Sequence, residues 1–287
     1  MSFEDEIIAF ILKICPEAQI CPPNAQIEHI PQLISKSVHI SDKKIVFNLL
    51  PLSFVAATPD YLQKKSLEYA SLGFQLVHIW QDCWKTKQEN VCSRIAAMLG
   101  VYKRIHARQT NVSRVSKGVA SEFFETNHLQ GYANARYHYG LFSNGILVAA
   151  ASFSAGRKMM RNSKITKSYE LVRYSNLLNH RVAGVMGKLI ARFVKDIKPD
   201  DIMTYADLDW ASGNSYKTLN FKQIAITPPQ VFQIHPSEMI RYYPHRLPQK
   251  IVDNFNMQCK HGNIDDFLKE MGYVKIYNAG NLKYLLV

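Results

Sequence analysis

Apolar residues recur at helical spacing near the start of the chain. Ile7, Ile8, Ile11, Leu12 and Ile14 form one stripe behind an acidic opening, which predicts a helix over 4–15. A proline-bearing stretch (Pro16, Pro22, Pro23, Pro31) interrupts regular structure. The stretch 44–50 reads as a strand, and a helix over 62–72 stops at Gly73. A buried strand follows over 74–80, then a helix over 87–99 closed by Gly100. Together these make a small helix–strand–helix–strand–helix unit. The pattern turns polar and basic over 103–110, and a domain boundary is expected near residue 105. Beyond it, alternation over 137–153 and 169–175 predicts strands, 188–197 a helix, and Tyr205-Ala206-Asp207 the end of another strand. From Pro228 the chain is expected to be less regular. It ends in a hairpin signal, with apolar runs on either side of Asn278-Ala279-Gly280-Asn281.

With 287 residues, 47% of them hydrophobic and 20% charged, the chain can bury a core and is not a disordered polymer. No run of about 18 apolar residues is present, so no membrane span is expected. The acidic start lacks the basic region of a signal peptide, and cytoplasmic residence is the expectation. Five cysteines at irregular spacing include no C-x-x-C pair and are read as free thiols. The net charge of +12 is uneven. Residues 1–110 hold 12 Lys and Arg against 10 Asp and Glu, and 111–287 hold 23 against 13. A basic, aromatic-rich second half suits a polyanionic partner, and nucleic acid is the usual one.

The candidate chemistry concentrates in 127–221. A strand, then the turn Arg181-Val182-Ala183-Gly184-Val185-Met186-Gly187, then a helix is a way to offer backbone N–H groups to a phosphate. Gly184 and Gly187 would allow close backbone approach, and Arg181 would add a charge-assisted hydrogen bond. Asp207 with His128 could serve as base or hold a metal, yet each has a structural alternative: His128 pinning a loop, Asp207 orienting a turn, Arg173 pairing with Glu170. Tyr132, Tyr137, Tyr139 and Tyr174 could stack on an extruded base or simply pack. Arg108, Tyr139, Arg157 and Lys158 are the candidate nucleic-acid contacts. Core packing is the expectation for Trp80 and Trp84, and His78, set among apolar neighbours, is expected to be a satisfied core histidine.

Two resemblances add to this. Lys64-Lys65-Ser66, the run from Gly73 to Trp84 (GFQLVHIWQDCW) and Val91-Cys92-Ser93-Arg94-Ile95 resemble the Vsr-type, PD-(D/E)xK-like domain of phage homing endonucleases. That resemblance implies metal-assisted DNA hydrolysis by acids on a central hairpin, because hard cations need oxygen ligands. Val46 stands where an acid is expected in Ile45-Val46-Phe47-Asn48, and the preceding strand offers Ser37, Val38 and His39, so hydrolysis is not expected of this unit. The second resemblance rests on His106-Ala107-Arg108-Gln109-Thr110, Asn127-His128-Leu129-Gln130-Gly131, Tyr169-Glu170-Leu171-Val172-Arg173-Tyr174 and Tyr205-Ala206-Asp207 through Tyr216. This segment is similar to the module following the nuclease unit in those phage proteins, and to the Mom family of DNA-modification proteins, a branch of the GNAT acyltransferase fold.

The expected fold class is α/β. A degenerate Vsr-like (restriction-endonuclease-like) domain over 1–105 precedes a GNAT-like mixed α/β domain over 106–287 with a C-terminal extension. The second resemblance implies DNA as partner and acetyl-CoA or a related acyl donor as cofactor, held by Arg181, Gly184 and Gly187. It implies His128, Arg173 and Asp207 as catalytic positions. Met186 departs from the GNAT pattern, which has Gly or Ala there. The expected function is transfer of an acyl or related small group to a DNA base. A non-catalytic DNA-binding protein and a metal-dependent nuclease remain the alternatives.

Overall fold

The structure, a computed structural model, describes residues 1–287 apart from 28, 107–109, 162 and 259–261. The chain packs as two units, each discontinuous in sequence. The first holds Met1–Thr86, Asp207–Ser212 and Thr227–Asn281; the second holds Lys87–Ala206, Gly213–Ile226 and Leu282–Val287. The boundary expected near residue 105 thus falls within the second unit.

The first unit opens with α1 (Phe3–Ile14), started by a capping box. The Ser2 hydroxyl accepts from the Asp5 N–H (3.2 Å), and the Asp5 carboxylate accepts from the Ser2 N–H (3.3 Å). Its stripe buries Ile7, Ile8 and Ile11 as the periodicity predicts. Strands β1 (Gln19–Cys21), β2 (Ser37–Ile40) and β3 (Ile45–Leu50) pair antiparallel in sequence. Helix α2 (Tyr61–Ser71) then carries the chain to β4 (Gln75–Trp80), which lies parallel to β3. All six residues of β3 are buried, as expected of a strand covered on both faces. Gly73, at φ 80°, ends α2 in a Schellman motif: its N–H reaches Ala70 O, and the Phe74 N–H reaches Tyr69 O. A short helix, α3 (Gln81–Thr86), completes this part.

The second unit begins with α4 (Gln88–Met98), which Gly100 ends in the same way as Gly73 ends α2. Strands β5 (Lys103–His106) and β6 (Asn111–Arg114) precede α5 (Lys117–Asn127). Next come β7 (Tyr137–Ser143), β8 (Ile146–Phe153), β9 (Arg157–Arg161), β10 (Lys164–Asn176) and β11 (His180–Ala183). Helix α6 (Val185–Ile197), β12 (Asp201–Asp207), α7 (Asn214–Lys217) and β13 (Lys222–Thr227) follow. The alternation over 137–153 is a hairpin, β7–β8, and not one strand. Asn144 and Gly145 both take positive φ (49° and 78°), the signature of a type I′ turn, and Asn-Gly is its usual sequence.

The chain returns to the first unit for β14 (Val231–Ile234), β15 (Arg241–Tyr242), α8 (Gln249–Gln258), α9 (Ile264–Glu270) and β16 (Val274–Tyr277). This tail is more regular than expected. It has its own sheet, ordered β15-β14-β16, and a cluster of Ile251, Phe267, Leu268 and Tyr273. The expected terminal hairpin does not form: β17 (Asn281–Leu286) joins the large sheet, and β16 pairs with β14. The Asn278 side chain accepts from the N–H groups of Gln230 (2.6 Å) and Gly280 (3.1 Å), which turns the chain from one sheet to the other.

The large sheet runs β13-β17-β12-β10-β8-β7-β6, with β9 on β10. Helix α6 buries Val185, Met186, Leu189, Ile190 and Phe193. The Phe193 ring stacks on Phe153 with centroids 3.9 Å apart and meets Tyr139 and Tyr169 edge-on, which anchors the helix. Among the described residues, no helix is long and apolar enough to cross a membrane.

Candidate functional site

A cleft of about 650 Å³ opens in the second unit at the start of α6. Its walls include Tyr102, Arg104, Tyr174, Arg181, the turn through Gly187, and Asn214–Leu219. Helix α6 begins at Val185, three residues earlier than the pattern predicts, so Val185, Met186 and Gly187 form its first turn. The amides of a first turn have no partner within the helix. The N-cap, Gly184, has no side chain to cover them and no acid lies among them. Gly184 sits at φ 72°, a conformation that favours glycine. At Gly187 a Cβ would come within 3.0 Å of the Leu219 side chain. Met186 is buried, with its side chain away from solvent.

Two arginines flank this turn. Strands β5 and β11 pair in parallel with Arg104 opposite Arg181, and both side chains are exposed. Arg181 lies 5.4 Å from the Tyr102 ring centroid and donates to its hydroxyl at 3.4 Å. Like charges held side by side weaken the pairing that holds them. An anion at the helix N-terminus would relieve that repulsion and satisfy the free amides. Arg104 and Tyr102 are site residues that sequence reading missed. The basic connector was visible, but its pairing with residues some 77 positions later has no local signal.

The large sheet opens beside this cleft. Strands β10 and β12 pair in parallel from Ser168–Asp201 to Leu171–Thr204, where the Thr204 hydroxyl donates to Leu171 O (3.0 Å). Beyond that point the two no longer pair with each other, although β10 continues to Asn176. Arg173 and Tyr174 lie on this stretch. Arg173 donates through Nε to Gly131 O (3.1 Å) and through Nη1 to Val172 O (3.0 Å).

His128 caps the C-terminus of α5, and its Nδ1 accepts from the Gln130 N–H (3.1 Å), so the neutral ring carries its proton on Nε2. Burial, then the charges of Arg173, Arg94 and Lys87, push its pKa down to about 3. At neutral pH it is therefore an uncharged hydrogen-bond donor and a very weak base. The neighbouring Asn127 has a structural role, in which its Oδ1 accepts from the Leu178 N–H (2.9 Å) and its Nδ2 donates to Phe123 O (2.9 Å).

Asp207, the last residue of β12, belongs to the first unit and accepts from the Asp209 N–H (3.0 Å). Asp209 is buried and accepts from the Ala279 N–H (2.7 Å). Burial and then the Asp207 charge push its carboxyl up to about 8, against the opposing pull of Arg241. Arg241 itself grips Asp82 with two bonds, of 2.6 and 3.0 Å.

Where the endonuclease resemblance would place acids, Val46 pairs with His39 across β2 and β3. A buried neutral chain occupies the interior beside them. Ser35 bonds the Asn48 carbonyl, Asn48 Nδ2 donates to His78 Nδ1 (3.0 Å), and His78 Nε2 donates to Ser66 (2.9 Å). His78 is thus the satisfied core histidine expected, and Trp80 and Trp84 are core residues, each 2% exposed. Among the described residues no group of three or more His, Cys, Asp or Glu is arranged to hold a metal ion.

Of the nucleic-acid candidates, Arg157 and Lys158 are exposed on β9. Tyr139 is fully buried against Phe153 and Phe193, so its ring is not available for stacking on a base. Arg108 lies outside the described residues.

No family model matches the chain, and no curated protein matches it. Among solved structures, it is similar to Eis1 from Mycobacterium abscessus at 15% identity and TM-score 0.34, over 44% of this chain and 34% of that one. The match thus spans about a third of the length of Eis1. It is also similar to a GNAT family acetyltransferase from Elizabethkingia anophelis with acetyl-CoA bound, at 8% identity and TM-score 0.35, over 62% of this chain and 97% of that one. A third is Naa50 from Arabidopsis thaliana in complex with a CoA-containing bisubstrate analogue, at 12% identity and TM-score 0.35, over 62% and 99%.

Proposed function

We propose that this protein transfers an acyl or related small group from a CoA-type donor to a base of DNA. The observation that carries the donor half is the α6 cleft: an uncovered helix start, two glycines and a facing pair of arginines. Acetyl-CoA carries phosphates for those groups and amides that suit the opened edge of β10. Arg181, Gly184 and Gly187 would hold it, with Arg104 as a further cation. When bound, such a donor would supply an activated thioester carbon; transfer forms a C–N bond and breaks the C–S bond, CoA leaves as the thiol, and the proton lost by the accepting amine ends on its sulfur.

Within this reading His128 donates a hydrogen bond from Nε2, and Arg173 fixes the loop at Gly131 and supplies positive charge. A histidine held at about 3 does not take the amine's proton at neutral pH. Asp207 is the remaining catalytic position that the Mom resemblance implies. The DNA half of the reading rests on the resemblance to Mom and phage proteins and on the basic second half of the chain.

Two measurements test it. Acetyl-CoA should raise the unfolding temperature of the full chain, by linkage about 2.7 kcal/mol at a hundredfold excess over Kd, and Arg181→Gln should abolish most of that gain. Nucleosides from the DNA of expressing cells should contain a new mass that disappears with Asp207→Ala. An unchanged nucleoside profile with retained DNA binding would replace this reading with that of a non-catalytic DNA-binding protein.

A further inference from the structure

A second cleft of the second unit, about 680 Å³, is lined by Arg114, Lys117, Arg136, Tyr137, His138 and Arg157 among others, and by no carboxylate. Arg114 is partly neutralised by Asp196 at 3.6 Å. Lys117, Arg136 and Arg157 are exposed; none has a carboxylate at ion-pair distance among the described residues, although the charge of Glu170 acts on Arg157. Such a cluster repels itself until an anion arrives.

Arg157 also opens β9, which leads from this cleft into the β9–β10 ribbon. Between 157 and 167 the sequence holds five Lys and Arg and no acid. The register sets Lys158 opposite Lys167, and Met160 opposite Ile165. Side chains alternate along a strand, so these two pairs share one face. Both lysines are exposed, and Met160 and Ile165 are 68% and 69% exposed. On the opposite face Arg161 is neutralised by the buried Asp201 at 2.5 Å. The Lys158–Lys167 face thus carries a like-charge pair, which weakens a ribbon, with Lys167 Nζ 5.8 Å from the Tyr169 ring centroid, and an apolar pair left in water, while Arg157 and Lys164 share the face of Arg161.

We infer that this cleft and the outer face of the β9–β10 ribbon bind duplex DNA. Lys117, Arg136 and Arg157 take backbone phosphates, and the ribbon enters a groove with Lys158 and Lys167 at its edge. Met160 and Ile165 lie against base edges. The major groove admits a two-stranded ribbon, and apolar side chains find thymine methyl groups there. A duplex offers both regular anions and an apolar interior, whereas an acidic peptide offers only the first. The inference rests on the DNA reading above for the identity of the partner, and needs neither donor nor turnover.

Fluorescence anisotropy of the full chain with a labelled duplex, across a salt series and without donor, tests it. Lys117→Gln/Arg136→Gln/Arg157→Gln should weaken binding more than tenfold and flatten the log–log salt slope by roughly 2.7, about 0.9 per phosphate contact. Met160→Ser/Ile165→Ser should weaken binding with the slope unchanged, a result that loss of charge cannot produce. Lys13→Gln/Lys250→Gln/Lys269→Gln removes equal charge elsewhere and should leave affinity within twofold. Melting curves confirm folding, and single variants at Arg136 and Arg157 replace the triple should it fail to fold. Equal losses in the triple and the control would overturn the proposal. So would tighter binding to vesicles of equal phosphatidylcholine and phosphatidylserine than to the duplex. Absence of a modified nucleoside would count against the transfer reading alone.

Discussion

Individual side chains in the first unit show how burial sets chemistry. His78 is completely buried with both ring nitrogens bonded, and His39 is buried with Nε2 near Ser37 (3.0 Å) and Nδ1 lacking a partner. Burial drives both pKa values down to about 4. A histidine depressed in the folded state contributes stability that is full above its ordinary pKa near 6.5. That stability is lost as pH falls toward the folded value. The protein should therefore lose stability between pH 6.5 and 4. His39→Phe removes one titrating ring and the orphan nitrogen, and should make that acid loss shallower while changing stability at pH 7 by less than about 2 kcal/mol. His78→Ala strips partners from Asn48 and Ser66 and should cost about 3 kcal/mol at pH 7. Urea titrations at both pH values check these; an acid slope unchanged in His39→Phe would disprove the assignment.

Elements are held in place by a few backbone positions that tolerate little. Gly213, at φ 75°, starts α7, and a Cβ there would lie 2.0 Å from the Tyr284 hydroxyl on β17. Gly145, at φ 78° in the β7–β8 turn, has nothing within 4 Å. Alanine at Gly145 meets only left-handed strain, about 1 kcal/mol. Alanine at Gly213 adds a collision with a buried ring and should cost at least about 2 kcal/mol more. Comparing the two unfolding midpoints tests whether close packing, and not conformation alone, selects glycine at 213.

At the scale of the molecule, the 207–212 segment leaves the second unit's strand to join the first. Within that unit the His78 N–H donates to Asp209 O (2.7 Å), the Gln75 side chain to Trp210 O (3.1 Å), and the Leu208 N–H to Gly280 O (3.0 Å). Three distant stretches of chain thus meet around the 208–210 backbone, and the Ala279 N–H reaches the buried Asp209 carboxyl (2.7 Å). Because folding raises the pKa of Asp209, its contribution to stability is full below the ordinary carboxyl range. It is lost as pH rises through about 8. Asp209→Asn keeps the acceptor for Ala279 and removes the titration. From pH 7 to 9, above the range in which the histidines titrate, stability of the native protein should fall more steeply than that of Asp209→Asn. Parallel curves would show that Asp209 is already ionised in the fold.

Local pattern alone determined much of this protein. The stripe of Ile7, Ile8 and Ile11, the stops at Gly73 and Gly100, the buried strand β4, and the core roles of His78 and Trp80 depend on neighbours within a few residues, which the sequence displays directly. The glycine-bearing turn after Arg181 was legible for the same reason. Only tertiary structure decided the rest. Arg104 meets Arg181 because β5 finds β11, Tyr139 turns inward because Phe193 packs on it, and β17 leaves β16 for another sheet. Asp207 crosses from one unit to the other within a single strand. A periodic pattern says which face of an element is buried but not against what. That choice is made by pairings across long stretches of chain, where the free energy belongs to the assembled sheet and core and to no local segment.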